Sequence, residues 1–411
     1  MLRYELTGYL RSQAPYALRL GPRSMATMTS SGTAFTVTPL PDCRTRDTSH
    51  HTDKGFCNPW PSYSSNPSLV SLLQTRFGSN RNFVPVPPNR QGLVSVVNPD
   101  WGVGKAGLKA TWIGHASWFL ETSAQNGRDR GIGIFVDPVW SERVSPVTWA
   151  GPKRFSPVPC ALQDVPDVDL VVISHNHYDH LDLETIKITF ARRKGHVKFA
   201  CALGLKRWFV DLGIGIKEDD VIELDWWQGV EVSVKDVGRI QLTCTPSQHI
   251  SGRSIWDTGH TLWCSWVIEE VPSDGTAAKK LYFAGDTAYR TVDTESLDEK
   301  DLAAFPSCPA FKEIGETYGP FDLALLPIGC YCPRAFMSKV HCSPEDSICI
   351  HKDVKSKKSI GMHYGTVRGG LSQYYEPVVD PPERWKVACH ENGLKWGKEV
   401  GLCDIGGTVV V

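Results

Sequence analysis

The chain has 411 residues, of which 41% are hydrophobic and 22% are charged, and its net charge is −1 at pH 7. This length and balance are typical of a globular protein with one large domain or two ordinary ones. A charge so close to zero gives no overall electrostatic footprint for nucleic acid, and no apolar run reaches the roughly 20 residues that a membrane-spanning helix needs. The 13 cysteines follow neither zinc-ribbon nor thioredoxin spacing, which favours reduced thiols in an intracellular protein.

The first 50 residues differ in composition from the rest of the chain. Residues 6–40 contain no acidic residue, while Arg11, Arg19 and Arg23 stand among Ser, Thr, Ala and Leu. This composition is typical of a mitochondrial transit peptide, and an unstructured tail is an equal alternative. We therefore predict a flexible segment over residues 1–53, in which "TSSGTAFTVTPLP" is a linker. The expected location is intracellular and membrane-associated, in the mitochondrion or alternatively in the cytoplasm.

An arm rich in proline, asparagine and aromatic residues is predicted over residues 54–107, within a single domain that spans residues 54–411. Its runs "GFCNPWPSYSSNPSLVSLL" and "NFVPVPPNR" predict little regular structure. The arm either lies at a membrane interface or packs on the rest of the domain. Its candidate apolar contacts are Trp60, Leu69, Leu72, Leu73 and Phe77.

Strand patterns dominate from Leu108 onward. Apolar or alternating runs bounded by turn residues include "LKATWIGHASWFLET", "GIGIFVDPV", "DVDLVVISH", "KKLYFAGD" and "FDLALLPIG". Helical patterns fall between some of them, as in "DLETIKITFARRK" and "SPEDSICIHKDVKSK". Strands mixed with helices predict an α/β chain in which helices cover layers of sheet.

The stretch "SHNHYDHLD" at residues 174–182 holds three histidines and two aspartates. It follows a predicted buried strand, and α/β folds place ligand sites in the loops that follow such strands. Alternate residues of an extended chain face the same side, so His175, His177 and Asp179 can act together while His180 points elsewhere. Two adjacent metal ions accommodate both directions, and imidazole and carboxylate are zinc-type ligands. A solvated polar loop is the weaker alternative.

Three further strand-like runs end in a candidate ligand. These are His249 after "TPSQ", Asp286 inside "GDT" and His363 inside "HYGT". Each is a weak signal by itself, because a lone histidine is often a surface residue and an aspartate is often a turn former. Together with the cluster they make a set of seven ligands at the exits of strands, and this joint occurrence predicts a binuclear metal site.

The order H-x-H-x-D-H followed by distant His, Asp and His resembles the metallo-β-lactamase superfamily, which implies a four-layer αββα sandwich. The segments "TWIGHAS", "GPKRF", "VIELDWW", "TPSQH", "GPFDLALLPIG", "PRAFM" and "HYGT" further resemble the family of N-acyl-phosphatidylethanolamine-hydrolysing phospholipases D. This resemblance runs from about residue 58 to residue 366. It places one zinc ion on His175, His177 and His249, a second on Asp179, His180 and His363, and Asp286 between them.

The resemblance implies hydrolysis of N-acyl-phosphatidylethanolamine to N-acylethanolamine and phosphatidic acid. A hydroxide that bridges the two zinc ions would attack phosphorus, so that Asp179 and Asp286 are catalytic as well as metal ligands. His341 matches a further histidine near the family's site and is a candidate substrate contact and proton donor. Departures also occur, because Cys332 stands where the family has an acidic residue and Tyr364 where it has Trp.

Supporting roles fall on four other residues. His115 and Asp137 are expected to orient the metal ligands from behind. Arg253 and Arg334 are candidate phosphate contacts, because the guanidinium fork matches a pair of phosphate oxygens.

The main alternative function is a hydrolase of the same fold that acts on a lactone or a soluble phosphodiester, since the ligand set would be shared. A nuclease is disfavoured because no basic patch is apparent. A metal-stabilised binding protein without activity would be expected to lack ligands, and all seven are present. The expected partners are the lipid substrate and a membrane surface, with no nucleic acid, and a homodimer is a candidate assembly.

Overall fold

The computed structural model describes residues 34–41, 47–64, 84, 93–125, 127–254, 256–273, 275–292, 302, 304–368 and 375–411. In chain order its strands are β1 (Phe35–Pro39), β2 (His51–Thr52), β3 (Gly55–Phe56), β4 (Lys109–Gly114), β5 (Ser117–Glu121), β6 (Gly133–Val136), β7 (Lys153–Arg154), β8 (Leu170–Val172), β9 (Lys198–Ala202), β10 (Val221–Leu224), β11 (Gly229–Val234), β12 (Gly238–Thr245), β13 (Ser265–Glu270), β14 (Lys280–Phe283), β15 (Leu323–Pro327), β16 (Ser359–Met362), β17 (Val367–Arg368), β18 (Val400–Gly401) and β19 (Thr408–Val410).

The α-helices among these residues are α1 (Leu183–Arg193), α2 (Lys206–Asp211), α3 (Ala310–Thr317), α4 (Arg334–Met337), α5 (Pro344–Asp353) and α6 (Asp380–Glu391). Helix α5 begins at an N-cap serine, Ser343, whose hydroxyl accepts the backbone N–H of Asp346, and Pro344 occupies its first turn. Both features satisfy or remove N–H groups that the start of a helix leaves without partners.

Two large sheets form the centre of the molecule. One has eight strands in the order β1-β11-β12-β13-β14-β15-β16-β18, and the other has seven in the order β10-β9-β8-β6-β5-β4-β19. Their inner faces share one hydrophobic core, in which Trp118 and Leu120 of the second sheet cluster with Leu242 and Trp266 of the first. The two sheets therefore pack face to face.

Helices cover the outer faces of both sheets. Phe119 and Phe199 of the seven-stranded sheet form a second cluster with Phe190 of α1 and Phe209 of α2. On the other side, Trp385 of α6 is buried and its indole N–H donates to the carbonyl of β18 at 3.1 Å. The predicted four-layer αββα sandwich is thereby confirmed.

The apolar runs in the sequence follow from this layering. On β5, Trp118 and Leu120 face the core between the sheets, while Phe119 between them faces the helices. Strand β8 repeats the pattern, with Leu170 on one side and Val171 on the other. Because both faces of the sheet are buried, these strands need apolar residues at successive positions.

The flexible segment predicted up to residue 53 is wrong for the part that the structure describes. Strand β1 pairs antiparallel with β11, from Phe35 opposite Val234 to Pro39 opposite Val230, so residues 35–39 of the proposed linker form an edge strand. The partner strand lies far along the chain, and no local pattern in the sequence indicates that pairing. Residues 1–33 lie outside the described residues, as does the predicted transit peptide within them.

The predicted arm is described in part. Trp60 stacks on Trp226, with ring centroids 5.3 Å apart, so this residue packs on the domain. Leu69, Leu72, Leu73 and Phe77 lie outside the described residues. Among the residues that are described, no helix has both the length and the apolar character to cross a membrane.

Candidate metal centre

The ends of several strands meet at one edge of the sandwich. Strands β6 and β8 are parallel, and so are β14, β15 and β16. Strands β12 and β14 are both antiparallel to β13 and therefore run in the same direction. Because strands that share a direction end at the same edge, their following residues come together. The residues placed there are Asp137 after β6, His175 after β8, His249 after β12, Asp286 after β14 and His363 after β16.

Three imidazoles form the first group at this edge. The ligand atoms of His175, His177 and His249 lie within 4.8 Å of one another. Nδ1 of His177 is 2.8 Å from Nε2 of His175 and 3.3 Å from Nε2 of His249. Two nitrogens bound at 2.0–2.1 Å to one tetrahedral ion would be roughly 3.3 Å apart, so the spacing suits a shared zinc-type ion.

Hydrogen bonds fix which nitrogens of this group carry protons. Nδ1 of His249 lies 2.7 Å from the carbonyl oxygen of Val340, which only accepts, so Nδ1 donates. The Ser174 hydroxyl donates its proton to Asp137 at 2.6 Å, so Nδ1 of His175, 2.9 Å away, must donate to that hydroxyl oxygen. In both rings Nε2 therefore presents a lone pair. Burial lowers the pKa of both imidazoles well below the ordinary value, which keeps them neutral at pH 7.

The second group surrounds His180. Its Nδ1 lies 2.7 Å from Asp137, and its Nε2 lies 3.1 Å from Asp286 and 3.8 Å from Asp179. Burial alone would lower the pKa of His180, but the carboxylates of Asp286, Asp179 and Asp137 raise it well above the ordinary value. The arrangement thus favours positive charge at this point, which either a protonated His180 or a metal ion would supply.

One carboxylate faces both groups. Oδ1 of Asp286 is 2.9 Å from Nε2 of His363, and Oδ2 is 3.8 Å from Nε2 of His249 and 3.8 Å from Nδ1 of His341. Burial opposes ionisation of Asp286, but His180 and His363 bring its pKa well below the ordinary value. A charged carboxylate between two sets of ligand atoms is the arrangement that a bridging ligand requires.

Several buried polar atoms of the centre have no well-directed hydrogen bond within the described part of the chain, although the imidazoles of His180 and His363 lie within ion-pair distance of Asp286. They are Nε2 of His180, Oδ1 of Asp286, Nδ1 of His341 and both ring nitrogens of His363. Buried polar atoms are rarely left in this state, because desolvation without a partner costs about 1–3 kcal/mol for each. The donor set of imidazole nitrogens and carboxylate oxygens therefore fits transition-metal ions of the zinc class.

His115 and Asp137 lie directly behind the ligand atoms. Nε2 of His115 is 2.9 Å from Asp179, and burial lowers the pKa of His115 to about 4. His115, Asp137 and His363 have φ angles of +54°, +42° and +63°, in the left-handed region. Such conformations cost of order 1–3 kcal/mol in non-glycine residues and persist where the surroundings enforce them. Here the Thr366 hydroxyl accepts the backbone N–H of His115 at 2.7 Å.

A glycine makes the approach of two strand ends possible. Gly285 precedes Asp286 with φ of +59°, and a Cβ at this position would lie 2.8 Å from Cβ of Ser174. A side chain there would push apart the loops that carry Asp286 and His175.

Comparison with known proteins places this centre in a family. A model described as "Beta-lactamase superfamily domain" matches residues 133–364. The N-acyl-phosphatidylethanolamine-hydrolyzing phospholipase D 1 of Caenorhabditis elegans is 38% identical over 284 residues, which cover 69% of this chain and 70% of that protein. The chain belongs to the N-acyl-phosphatidylethanolamine-hydrolysing phospholipase D family. It is a metal-dependent hydrolase of the metallo-β-lactamase superfamily, and the resemblance found in the sequence is confirmed.

Two further proteins are similar to parts of this chain. The mitochondrial N-acyl-phosphatidylethanolamine-hydrolyzing phospholipase D of Saccharomyces cerevisiae is 32% identical over 286 residues, which cover 69% of this chain and 52% of that protein. Among solved structures, the metallo hydrolase Igni18 of Ignicoccus hospitalis is 24% identical and covers 74% of this chain and 98% of its own, with a TM-score of 0.46.

In this member of the phospholipase D family, Arg253 is engaged by the protein itself. We expected its guanidinium to contact phosphate. Instead, Nη1 donates to the carbonyls of Asn176 and Leu181, both at 3.0 Å, and the guanidinium carbon lies 3.9 Å from the centroid of the Tyr178 ring. These contacts hold the loop that carries His177 to His180, so the structure supports a positioning role.

Arg334 also has a protein partner where a phosphate contact was expected. The residue is buried, and its Nη2 donates to Asp346 at 2.7 Å. Arg290 lies 3.0 Å from the other oxygen of the same carboxylate. Since Asp346 belongs to α5 and Arg334 to α4, this pairing joins the two elements on either side of His341.

Two polar residues behind the metal centre were not predicted from the sequence. Ser174 connects Asp137 to His175, and Thr366 holds His115. Ser174 is the first residue of the cluster "SHNHYDHLD", and this position next to His175 is the local feature that could have indicated its role. Thr366 lies three residues after His363, and its partner His115 is distant in the chain, so no local pattern indicates its role.

Replacement of Arg253 by lysine tests the positioning role. Arg253→Lys keeps the positive charge but loses the planar guanidinium, whose Nη1 donates to two carbonyls and whose face lies on the Tyr178 ring, so the substrate-free protein should lose about 2 kcal/mol in its free energy of unfolding. Denaturant unfolding measures the change. Lys153→Met, which removes an exposed ion pair with Glu142, is the control and should leave unfolding nearly unchanged. A residue that contacts only phosphate would change KM and leave the stability of the substrate-free protein as it was.

Proposed function

We propose that this protein is a zinc-dependent phosphodiesterase that hydrolyses N-acyl-phosphatidylethanolamine to N-acylethanolamine and phosphatidic acid. The observation that carries the proposal is the carboxylate of Asp286, which faces both groups of ligand atoms in a chain of this family. Such an arrangement suits two adjacent ions, and two-metal sites of this kind are used for in-line displacement at phosphorus.

The proposed distribution of ligands follows the two groups. When bound, two zinc ions would supply a water of lowered pKa as the nucleophile and positive charge for the phosphate oxygens. The first ion would be held by His175, His177 and His249, the second by Asp179, His180 and His363, and Asp286 would contact both.

The remaining residues are proposed to fix the ligands and the substrate. Asp137 accepts from Nδ1 of His180, which directs Nε2 of that ring into the centre and increases its basicity. Nε2 of His115 lies within hydrogen-bond distance of the carboxylate of Asp179 and restrains its orientation. His341 brings a buried nitrogen into the centre, and burial lowers its pKa to about 3, so it enters the reaction as a neutral imidazole. We assign it to hydrogen bonding with the phosphate and to a proton relay, in which one ring nitrogen would accept the proton that the attacking water releases and the other would give its proton to the leaving oxygen.

A membrane surface is the proposed source of the substrate. Trp149 and Trp256 are 80% and 82% exposed, which is unusual for the largest apolar side chain. The loop of Trp149 leads into β7, which pairs with β17 close after His363. The loop of Trp256 follows His249 and is anchored to the ligand loop through Arg253. Two exposed indoles in loops connected to elements that carry candidate ligands suit the boundary between lipid and water.

The double variant Trp149→Ala/Trp256→Ala tests this surface. It should raise the apparent KM on vesicles severalfold, because interfacial binding is lost, and should leave turnover on substrate dispersed in detergent unchanged. Val387→Ala, an exposed apolar residue of α6, serves as the control. Equal kinetics of the double variant and the parent on vesicles would contradict the proposed membrane face.

Asp286→Asn tests the bridging role against Asp179→Asn, which removes the charge of a ligand assigned to one ion. Loss of the shared carboxylate should lower the zinc content of the purified protein below two ions per chain. It should also reduce turnover by more than about 100-fold, which is a larger loss than mutation of a residue that only holds a metal ligand in place causes. Elemental analysis and steady-state kinetics give the two readouts. Near-normal turnover of Asp286→Asn, or a smaller loss than in Asp179→Asn, would exclude the bridging assignment.

Hydrolysis of N-acyl-phosphatidylethanolamine in ¹⁸O-labelled water identifies the bond that breaks. Attack of water on phosphorus with N-acylethanolamine as leaving group puts the label on phosphatidic acid and none on N-acylethanolamine. Mass spectrometry of both products measures it. Diacylglycerol as the main product would refute the phospholipase D reaction. Turnover of a lactone or a soluble phosphodiester without turnover of the lipid would favour the alternative hydrolase.

The mitochondrion is the proposed location. The relative from S. cerevisiae has "mitochondrial" in its name, and residues 6–40 of this chain have the acid-free, arginine-containing composition of a transit peptide. A fluorescent reporter fused after residues 1–40 should co-localise with a mitochondrial stain. A diffuse signal would argue for the cytoplasm. The homodimer stays a prediction that a measurement of mass in solution would decide.

A further inference from the structure

A second cluster of histidine and carboxylate lies apart from the catalytic residues. Nε2 of His50 is 2.8 Å from Oδ1 of Asp225, and Nε2 of His51 is 2.9 Å from Oδ2 of the same residue. One ligand atom of each residue lies within 4.8 Å of the others. None of the three belongs to the set of residues described above for the catalytic centre.

The convergence of His50 and His51 is unusual for neighbours in the chain. Successive side chains of an extended segment face opposite sides, yet these two rings meet with centroids 4.4 Å apart. His50 precedes β2 in a turn, and its ring stacks on Trp226 at 4.2 Å, which turns it toward the same carboxylate as His51. The turn at His50 and its stacking on Trp226 therefore bring both imidazoles to the carboxylate of Asp225.

Asp225 is itself held in place by its neighbours. It follows β10, its backbone N–H donates to the side chain of Gln228 at 2.9 Å, and its Oδ1 accepts the backbone N–H of Trp226 at 2.8 Å. The side chain of His50 is 2% exposed, whereas those of His51 and Asp225 are 17% and 14% exposed. The cluster is therefore ordered on the protein side and open to water on the other.

We propose that His50, His51 and Asp225 bind a divalent transition-metal ion of the zinc class, separate from the catalytic centre. Two imidazole nitrogens and one carboxylate oxygen are a donor set that such ions prefer, and the open side admits water to complete the coordination. The separations of 2.8 and 2.9 Å also suit hydrogen bonds from both rings to Asp225. The experiment must therefore distinguish a bound ion from a pair of hydrogen bonds.

A metal ion here would fasten the segment 47–64 to the body of the protein. The same segment reaches the catalytic loops, because Asn58 donates to the backbone carbonyl of His249 at 2.7 Å and Ser62 donates to the side chain of Gln248 at 2.6 Å. The proposed site thus supports the loop of a catalytic ligand from a distance. Its three residues are not among the catalytic ligands.

The double variant His50→Gln/His51→Gln separates the two interpretations. The glutamine amide nitrogen takes the place of Nε2 and still donates a hydrogen bond to Asp225, but glutamine is a poor ligand for zinc. The proteins are saturated with zinc, freed of excess by gel filtration, and compared by elemental analysis and by thermal unfolding with and without added zinc. His196→Gln, an exposed histidine of another surface, is the matched control.

The wild type and His196→Gln should each hold one zinc ion per chain more than the double variant. Zinc should raise the unfolding temperature of the double variant less than that of the wild type. Equal zinc content in the wild type and the double variant would overturn the proposal. If the double variant does not fold, His51→Gln is measured in its place, since His51 is the more exposed of the two histidines.

A second comparison keeps this test independent of the proposed function. The same histidine substitutions are introduced into Asp286→Asn. A difference of one zinc ion between Asp286→Asn and the triple variant supports the second site whatever happens at the catalytic centre. The absence of that difference overturns the second site and leaves the proposed phosphodiesterase untouched.

Discussion

A carboxylate buried among imidazoles is the constraint on which the rest of the structure depends. Asp286 has almost no contact with solvent, and its charge faces His180, His363 and His249. A buried charge without compensation would be strongly destabilising, so the surrounding imidazoles, or a metal ion that they would hold, must neutralise it. The fold meets this demand by ending strands of both sheets at one edge, where ligand atoms from separate parts of the chain can converge.

The loop that carries the central cluster is held from two sides. Asp137 holds the ring of His180 and Ser174 holds the ring of His175, in each case at Nδ1. On the other side, Arg253 donates to the backbone carbonyls of Asn176 and Leu181. These contacts settle the direction of each lone pair before any ligand arrives. The left-handed backbone at His115, Asp137 and His363 fits the same interpretation, because such conformations are maintained only where the surroundings enforce them.

The segment before the main domain takes part in this organisation. Strand β1 covers the edge of the eight-stranded sheet, and residues 47–64 run from the cluster at Asp225 to the loop of His249. Strand β1 is itself the outermost strand of that sheet, so the pairing satisfies the hydrogen-bonding groups of β11. The stability of the catalytic loops is therefore connected to residues that the sequence analysis assigned to a flexible region.

The sequence alone predicted the candidate ligand set and, through its resemblance to a known family, the family and the layered architecture that the structure confirms. It did so because the ligands occupy fixed places relative to strands: His175, His177, Asp179 and His180 form one local motif, and the distant ligands each follow an apolar run. Local pattern is enough where a residue's role depends on its own strand and loop.

Only the tertiary structure decided the partners of the charged residues and the place of the first segment. Arg253 is 77 positions from Asn176, and His50 is 175 positions from Asp225. An arginine near a ligand has the same local appearance whether its guanidinium meets a phosphate or a backbone carbonyl. The choice depends on which loop packs against it, and that is set by the pairing of strands far apart in the chain.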